Sequence, residues 1–254
     1  MSGIEINGKP LEIPHMGFTN TGSICYFNAL IQCLLSSSTF LQYVIRFSKH
    51  KLFREFVESI CDDKWDTIFT TRLLQYHNMV KPNQSSSEYF VFLVDLLHLE
   101  PIFEITHKLC MQCGGCGFVK FSSDKTCNML VDNDFKEVFQ FEESLDNVKC
   151  DNCKTHQRMS RRRTIEKIPP VIALSFNKYF AKRTVKYPDR FRVDEQVYEL
   201  IGTIEHYGVL GAGHYVARYR RNGQEVLADD TRMRALSDLD PTENTYMVFY
   251  QRVS

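Results

Sequence analysis

The spacing of apolar residues in this chain changes near Pro101. Before it, apolar side chains recur at positions i, i+3, i+4 and i+7, which is typical of one face of a helix; two such sets are Phe53, Phe56, Val57 and Ile60, and Phe90, Leu93, Val94 and Leu97. After residue 165 the pattern favours strands, in four segments: Val171–Phe176, Val197–Glu205, Tyr215–Arg220 and Thr245–Gln251. Helices first and strands last predict an α+β fold with an antiparallel sheet.

Three local signals mark individual elements within this order. The segment Ser85-x-x-Glu88 is a capping box, which predicts the start of a helix. The segment Thr67–Met79 predicts a further helix, because its apolar residues fall on one face. The dipeptide Asn222-Gly223 predicts the tight turn of a β-hairpin, since both residue types tolerate positive φ.

The composition is that of an ordinary globular protein: 43% of the 254 residues are apolar, 24% are charged and the net charge is zero. A neutral chain offers no general basic field for nucleic acid. Its apolar runs are too short to span a bilayer, and Met1–Gly8 lacks the features of a signal peptide. We therefore expect an intracellular protein, in the cytoplasm or nucleus, with no membrane partner. Nine cysteines without an export signal favour reduced thiols, some of them binding metal.

A polar, glycine-containing loop, Gly17–Ile24, runs directly into an apolar segment with helical spacing. This order predicts that Cys25 lies at or just before a helix N-terminus, where unpaired N–H groups and the helix dipole favour an anion. Such a site lowers the pKa of a thiol, so Cys25 is a candidate nucleophile. The alternative is that Cys25 is one more small residue of the core.

His206 and His214 flank a glycine-rich loop in the last quarter of the chain. His214 is the better candidate for a general base, because it lies where this loop meets a predicted strand that would fix the imidazole. Across the predicted hairpin, Asp229 and Asp230 end the next strand, and a carboxylate there would orient a histidine that activates a thiol. Either aspartate could instead cap the turn toward Thr231.

Two Cys-x-x-Cys pairs, Cys110-x-x-Cys113 and Cys150-x-x-Cys153, are separated by 36 residues. Four thiolates make a closed tetrahedral site without a position for water, so we predict a structural Zn2+ in a zinc ribbon. Cys116 forms an overlapping pair with Cys113 and is the alternative to Cys110; we prefer Cys110 as the ligand and Cys116 as a nearby free thiol.

A zinc ribbon beside the basic run Arg158–Arg163 would also suit a nucleic-acid binder. The run contains no aromatic side chains that could stack on bases, so we do not expect a nucleic-acid partner.

Together these segments resemble the ubiquitin-specific protease family of deubiquitinating cysteine peptidases. The blocks that carry the resemblance occur in the family's order: Asn20–Leu34, Gln84–Tyr89, Pro169–Phe176, Gly213–Tyr215, Asp229–Asp230 and Tyr246–Tyr250. The two Cys-x-x-Cys pairs fall where the family carries its zinc ribbon. The resemblance covers about residues 17–252, and several blocks in one order are more specific than any single motif.

The resemblance implies a papain-like fold shaped like a hand, formed by a single catalytic domain over residues 1–254. After a lead-in of residues 1–16, residues from about 17 to 100 would form a helical thumb, about 101–165 the zinc-bearing fingers and about 166–254 the β-rich palm. It also implies ubiquitin, or a ubiquitinated protein, as the partner of an enzyme that we expect to be monomeric.

By the same resemblance, the enzyme would hydrolyse the bond between the C-terminal glycine of ubiquitin and a lysine amine through an acyl-enzyme. Four residues would be catalytic: Cys25 as nucleophile, His214 as base, Asp229 as the residue that orients the base, and Asn20 as an oxyanion donor. One such donor is worth about 3–4 kcal/mol. Four more residues would bind substrate: Gln84, Ser85, Gly213 and Tyr215.

Two departures from the family pattern leave the substrate open. Ser85 stands where the family commonly has an aspartate that contacts an arginine of the ubiquitin tail. Val226–Ala228 replaces the usual aromatic residues before the Asp pair. A protease for a ubiquitin-like modifier and a catalytically weak ubiquitin-binding module therefore stay as alternatives.

Overall fold

The computed structural model of the chain describes residues 5–6, 9–10, 13–61, 85–132, 134–177, 184–209 and 212–253. The helix predicted at Thr67–Met79 and the candidate substrate residue Gln84 lie outside these residues. After a short strand pair, β1 (Glu5–Ile6) with β2 (Lys9–Pro10), helices precede the remaining strands, and the α+β fold class is confirmed. In the described ranges, none of the helices combines the length and apolar character needed to cross a membrane.

The helices are α1 (Cys25–Leu34), α2 (Ser38–Phe47), α3 (Lys51–Cys61), α4 (Ser86–Leu97) and the short α5 (Glu100–Phe103). The predicted apolar faces of α3 and α4 are buried, as the sequence pattern indicates. Helix α1 is buried along its whole length rather than on one face, because it packs against both α4 and the larger sheet.

Helix α4 begins at the predicted capping box. Ser85 Oγ accepts the N–H of Glu88 at 3.1 Å, and Glu88 Oε2 accepts the N–H of Ser85 at 3.2 Å. The next residue, Ser86, donates its hydroxyl to the carbonyl of Tyr26 at 3.0 Å. The first turn of α4 is therefore attached to the first turn of α1, next to Cys25.

The larger sheet has the strand order β13-β12-β11-β10-β14-β8-β5, with β9 also paired to β10. Its strands are β5 (Met129–Val131), β8 (Val171–Phe176), β9 (Arg190–Val193), β10 (Gln196–Val209), β11 (Ala212–Arg221), β12 (Gln224–Asp229), β13 (Arg232–Leu236) and β14 (Thr245–Arg252). Its pairings are antiparallel except that of β5 with β8. The predicted hairpin turn joins β11 to β12, with φ of 51° at Asn222 and 72° at Gly223.

A second sheet, in the order β4-β3-β7-β6, contains the cysteine-rich part of the chain. Its strands are β3 (Ile105–Cys113), β4 (Val119–Thr126), β6 (Gln140–Lys149) and β7 (His156–Lys167). Between β4 and β6 the chain leaves this sheet, so that β5 joins the larger one and a 3-10 turn follows at Phe135–Val138. The division into thumb, fingers and palm stays a prediction, and β5 crosses its boundary.

The basic run of the sequence lies on β7 and faces acidic residues of the neighbouring strand β6. The ion pairs join Arg158 to Asp146, Arg161 to Glu143 and Arg162 to Glu142. Each of these arginines therefore has a carboxylate as neighbour, which reduces the positive potential that phosphate groups would require. The pairing is in keeping with the expectation of no nucleic-acid partner, which itself stays a prediction.

Candidate active site and metal centre

Cys25 is the first residue of α1, so its predicted position at a helix N-terminus is confirmed. The loop before it turns sharply, with φ of 129° at Gly22 and 53° at Ser23, and its last residue, Ile24, offers no side-chain cap. The N–H groups of the first helical turn are therefore left to face the thiol. Cys25 is only 8% exposed, but it lines a cavity of about 460 Å³.

The pKa of the Cys25 thiol is raised above its ordinary value, so the expectation of a lowered pKa was wrong for this arrangement. Burial is the largest cause, because a thiolate in a closed site loses its hydration. The N–H of Tyr215 and the first-turn N–H groups lower the pKa, as expected, whereas the carboxylate of Asp230 raises it. The cost of burial outweighs the donors, and Cys25 is therefore a neutral thiol near pH 7.

His214 and Asp229 form a hydrogen-bonded pair at one end of the larger sheet. His214 lies near the start of β11 and Asp229 is the last residue of β12, so the hairpin between them brings both to the same end. His214 Nε2 lies 2.6 Å from Asp229 Oδ1, which leaves Nδ1 as the ring nitrogen for another group. In the part of the chain that the structure describes, no hydrogen bond or ion pair joins His214 to Cys25.

Asp230 has different partners from its neighbour. Its carboxylate accepts hydrogen bonds from Asn20 Nδ2 at 3.0 Å and from Asn28 Nδ2 at 2.8 Å. Its carbonyl accepts the N–H of Phe18 at 2.9 Å, and its own φ is 51°. Asp230 thus attaches both the loop before Cys25 and helix α1 to the β12–β13 turn. The sequence identified the Asp pair but not this second set of contacts.

Asn20, the candidate oxyanion donor, is held at both ends of its side-chain amide. Its Oδ1 accepts the N–H groups of Gly22 at 3.1 Å and of Ile24 at 3.2 Å, while one N–H of Nδ2 binds Asp230. The amide nitrogen carries a second N–H, which is the one left for a substrate oxygen. The orientation of Asn20 is therefore set before any substrate arrives.

The other end of α1 is fixed by Gln32, which belongs to the block Asn20–Leu34, and by Arg221, which the sequence did not single out. Arg221, which is 6% exposed, donates from Nη2 to the carbonyl of Gln32 at 2.8 Å and to its Oε1 at 3.1 Å. Gln32 in turn donates Nε2 to the carbonyl of Met16 at 2.5 Å. Burial lowers the pKa of Arg221 to about 10, so it stays charged near pH 7. A contact across 189 positions leaves no local signal in a single sequence.

The cavity beside Cys25 is lined mostly by uncharged polar groups. Three of the four candidate substrate residues lie on its wall, and Gln84 lies outside the described residues; the wall includes Ser85, Ser87, Asn128, Ser175, Asn177, Gly213 and Tyr215. Glu88 is the one acidic residue among the described residues of the wall. A Cβ atom on Gly213 would lie 2.5 Å from the backbone oxygen of Tyr207, so only glycine fits at this point of the cavity.

Four of the described cysteines form a cluster whose sulfur atoms all lie within 4.8 Å of one another: Cys113, Cys116, Cys150 and Cys153. They come from two turns with the same backbone geometry. The N–H of Gly117 donates to Cys113 O at 2.9 Å, and the N–H of Lys154 donates to Cys150 O at 3.0 Å. Both donors have positive φ, 71° at Gly117 and 62° at Lys154. Two matching turns therefore direct four thiols to one point.

Cys110 is not among these four, so the predicted set of converging thiols is corrected: Cys116, and not Cys110, joins Cys113, Cys150 and Cys153. Cys110 lies within β3, opposite Phe121 on one side and Arg162 on the other. Residues three apart in a strand point to opposite faces, and Cys110 and Cys113 cannot converge for that reason. Cys113 ends the strand, and the turn that follows brings Cys116 back toward it.

The geometry of the cluster fits a metal ion. Zinc–sulfur bonds of about 2.3 Å in a tetrahedron place the sulfur atoms about 3.8 Å apart. Cys116 Sγ and Cys150 Sγ are 3.8 Å apart.

An α+β fold that places a thiol at the start of a buried helix, together with a His–Asp pair and a cavity, is typical of the cysteine peptidases. The ubiquitin carboxyl-terminal hydrolase family matches residues 16–250 of the chain. The chain therefore belongs to the ubiquitin carboxyl-terminal hydrolase family, in agreement with the resemblance carried by the sequence motifs.

Two relatives illustrate the extent of the similarity. Over 124 residues the chain is 32% identical to ubiquitin carboxyl-terminal hydrolase 4 of Bos taurus. This alignment covers 41% of this chain and 13% of that protein. Over 346 aligned positions it is 20% identical to ubiquitin carboxyl-terminal hydrolase 21 of Homo sapiens, covering 93% of this chain and 61% of that protein. The chain thus spans less than two thirds of the length of either relative.

Solved structures share the fold. The yeast SAGA DUB module with a mutant Sgf73 contains a chain that matches with a TM-score of 0.80 and 19% identity, covering 96% of this chain and 70% of that one. The SAGA Ubp8/Sgf11/Sus1/Sgf73 DUB module bound to ubiquitin aldehyde matches with a TM-score of 0.78 and 18% identity, covering 96% and 70%. At this level of identity, the likeness shows the fold alone.

Replacing Asp230 with asparagine tests the electrostatic setting of the thiol. A negative charge beside the thiol disfavours the thiolate and raises its pKa, so Asp230→Asn should lower the pKa of Cys25. The rate at which iodoacetamide alkylates Cys25, measured against pH, should then reach its midpoint at lower pH than in the wild type. Asp95→Asn, which removes the same charge from the exposed face of α4, is the control. An unchanged midpoint in Asp230→Asn, or an equal shift in the control, would contradict this assignment.

Proposed function

We propose that this chain is a thiol-dependent deubiquitinating enzyme that hydrolyses the bond between the C-terminal glycine of ubiquitin and a lysine amine. The observation that carries the proposal is the place of Cys25, at the N-terminus of α1 and on the wall of a cavity. Membership of the ubiquitin carboxyl-terminal hydrolase family supports the reaction class, and the bound ubiquitin aldehyde of the similar DUB module supports the choice of modifier.

In the proposed reaction, Cys25 is the nucleophile and His214 is the base. Because the pKa of the thiol is raised, its proton must be taken by a neighbouring group during attack. His214 Nε2 is bound to Asp229, so Nδ1 is the atom that accepts this proton, and Asp229 stabilises the resulting imidazolium. The step requires Nδ1 to come within hydrogen-bond distance of the sulfur in the substrate complex.

The attacking sulfur forms a bond to the carbonyl carbon of the terminal glycine, and the carbonyl oxygen becomes an oxyanion. The free N–H of Asn20 and the backbone N–H of Cys25 are the proposed donors to this oxygen, each worth about 3–4 kcal/mol. His214 then gives its proton to the departing lysine amine, which leaves an acyl-enzyme. Water, deprotonated by the same imidazole, hydrolyses the thioester and restores Cys25.

A protease for a ubiquitin-like modifier is the second candidate, and Ser85 favours it. Ser85 lines the cavity where the resemblance leads one to expect an aspartate. Its hydroxyl caps α4 and contacts Ser87 Oγ at 3.2 Å, and it carries no charge for an arginine of the incoming tail. With serine in place of aspartate, the tail of another modifier that has fewer basic residues would lose less binding free energy than the ubiquitin tail.

We further propose that the four-cysteine cluster holds a structural Zn2+ ion. Cys113, Cys116, Cys150 and Cys153 would supply the four thiolates, and a full set of sulfur ligands leaves no position for a reacting water. The ion would join the β3–β4 turn to the β6–β7 turn and so hold the end of the smaller sheet together. It would take no part in the peptidase reaction.

The test of the proposed function is labelling by probes that carry a C-terminal electrophile on ubiquitin or on a ubiquitin-like modifier. The wild-type protein should form one covalent adduct with the ubiquitin probe, and Cys25→Ala should form none, because the sulfur is the reacting atom. Intact-mass spectrometry measures both. Labelling only by another modifier would establish the second candidate. If no probe labels the folded, metal-loaded protein, the proposal that it is an enzyme is contradicted, and a ubiquitin-binding module is the remaining interpretation.

Restoring a carboxylate at residue 85 tests how the cavity receives the tail. Aspartate also caps helices well, so Ser85→Asp should leave α4 intact. It should lower KM for a ubiquitin substrate about fivefold, equivalent to ~1 kcal/mol for one new ion pair, with kcat nearly unchanged. Ser85→Asn, an equally good cap without charge, is the control. Equal KM values in the two variants would show that the basic part of the tail does not reach this position.

The zinc assignment predicts different outcomes for two neighbouring cysteines. Purified protein should contain close to one zinc per chain by elemental analysis. Cys116→Ser should lose most of the metal and melt at lower temperature, because three thiolates hold Zn2+ less tightly than four. Cys110→Ser should keep both the metal and the melting temperature. Metal loss in Cys110→Ser with retention in Cys116→Ser would reverse the ligand assignment.

A further inference from the structure

A buried ion pair lies on the same face of the larger sheet as His214. Side chains alternate along a strand, so His214 and Arg218 of β11 share one face. On β10, Tyr207 lies directly opposite His214, and Glu205, opposite Val216, is on the same face. Glu205 is 1% exposed and Arg218 is 7% exposed, and Glu205 Oε1 lies 2.9 Å from Arg218 Nη1. A charge pair this deep in a protein persists only if its remaining polar atoms also find partners.

Those partners come from the segment between β13 and β14 and from Tyr207. Thr242 donates its hydroxyl to Glu205 Oε1 at 2.9 Å. Arg218 donates to the carbonyl of Asp240 at 2.7 Å, as well as to Glu205. The other carboxylate oxygen, Oε2, accepts the hydroxyl of Tyr207 at 2.5 Å. The carboxylate is therefore a fixed point in the sheet, and Tyr207 is attached to it.

The position of Tyr207 in the hairpin makes this attachment relevant to His214. Tyr207 and His214 are directly opposite each other, and the next pair toward the tip is Gly208 with Gly213. Gly208 has φ of 136°, a conformation that other residues rarely adopt. Neither glycine has a side chain that could hold the hairpin. In the described part of the hairpin tip, Tyr207 is thus the β10 residue nearest to His214 whose side chain is tied to the interior.

We propose that Glu205 and Tyr207 are positioning residues that hold the strand end carrying His214. This inference rests on the proposed function, in which His214 is the base. An O–H···O⁻ bond of 2.5 Å is short and charge-assisted, and it restrains a ring that is otherwise 44% exposed. Neither residue touches the reacting atoms. Glu205 holds Tyr207, which lies directly opposite His214, and the two residues so determine the position of the imidazole relative to Cys25.

Tyr207→Phe removes the attachment with the smallest change, because it takes away one hydroxyl and leaves the partners of Glu205 Oε1, Arg218 and Thr242, in place. Since a displacement of about 1 Å can cost a hundredfold in rate, we expect kcat to fall about tenfold, with KM for a fluorogenic ubiquitin substrate within about twofold of wild type. The control is Tyr198→Phe, which removes another buried hydroxyl bond of β10, 2.7 Å to Pro169 O, far along the strand from the hairpin. The control should lower stability without changing kcat per active site.

A second measurement does not depend on activity. In nuclear magnetic resonance spectra, the imidazole signals of His214, assigned with a His214→Gln variant, should be single in the wild type and broadened or shifted in Tyr207→Phe. They should be unchanged in Tyr198→Phe. The proposal is overturned if Tyr207→Phe keeps the wild-type kcat and His214 signals, or if both variants change alike. The wild-type protein could also lack peptidase activity while Tyr207→Phe still alters the His214 signals. That result would contradict the proposed function and leave the positioning role in place.

Discussion

The attachment of α1 to the β12–β13 turn is the contact on which the rest of the site depends. Asp230 receives two amide groups and one backbone N–H from the segment between Phe18 and Asn28, so one residue late in the chain orients the loop, the helix start and the Asn20 amide. Hydrogen bonds to a charged group contribute about 1.5–3 kcal/mol each. The close approach also needs Gly17, because a Cβ there would lie 2.6 Å from the backbone of Thr231.

The same aspartate has an electrostatic cost for the chemistry. Its charge disfavours the thiolate of Cys25, and burial disfavours it further. The site therefore holds the proposed nucleophile as a neutral thiol, which would react only once an imidazole can take its proton. In the proposed reaction, the proton transfer would create a thiolate and an imidazolium together, and their mutual attraction would offset part of the burial cost. The structural role of Asp230 and the need for a partner base are thus two consequences of one placement.

What the sequence predicted correctly was mostly local. The capping box at Ser85 and the turn at Asn222-Gly223 are set by a few neighbouring residues, and the buried faces of α3 and α4 follow from periodicity. The prediction that Cys110 belongs to the cluster of four thiols was wrong, because two overlapping Cys-x-x-Cys pairs differ only in where the strand ends. The contacts of Asp230 and Arg221 join residues about 200 positions apart, and such pairs are decided by the packing of α1 on the sheet.

The two helix starts at the cavity give the site its remaining electrostatic character. Ser86 binds the carbonyl of Tyr26, so the N-termini of α4 and α1 lie side by side and both open onto the same cavity. Each contributes the positive end of a helix dipole, although the capping box of Ser85 and Glu88 pairs two N–H groups at the start of α4. These ends do not suffice to ionise a buried thiol beside Asp230, as the raised pKa of Cys25 shows. In the proposed reaction, a substrate oxyanion would differ from the thiolate in this respect, because it would form only in the transition state, when the imidazolium already balances its charge. Fixed dipoles favour that state over the resting thiol, which is where a catalyst gains rate.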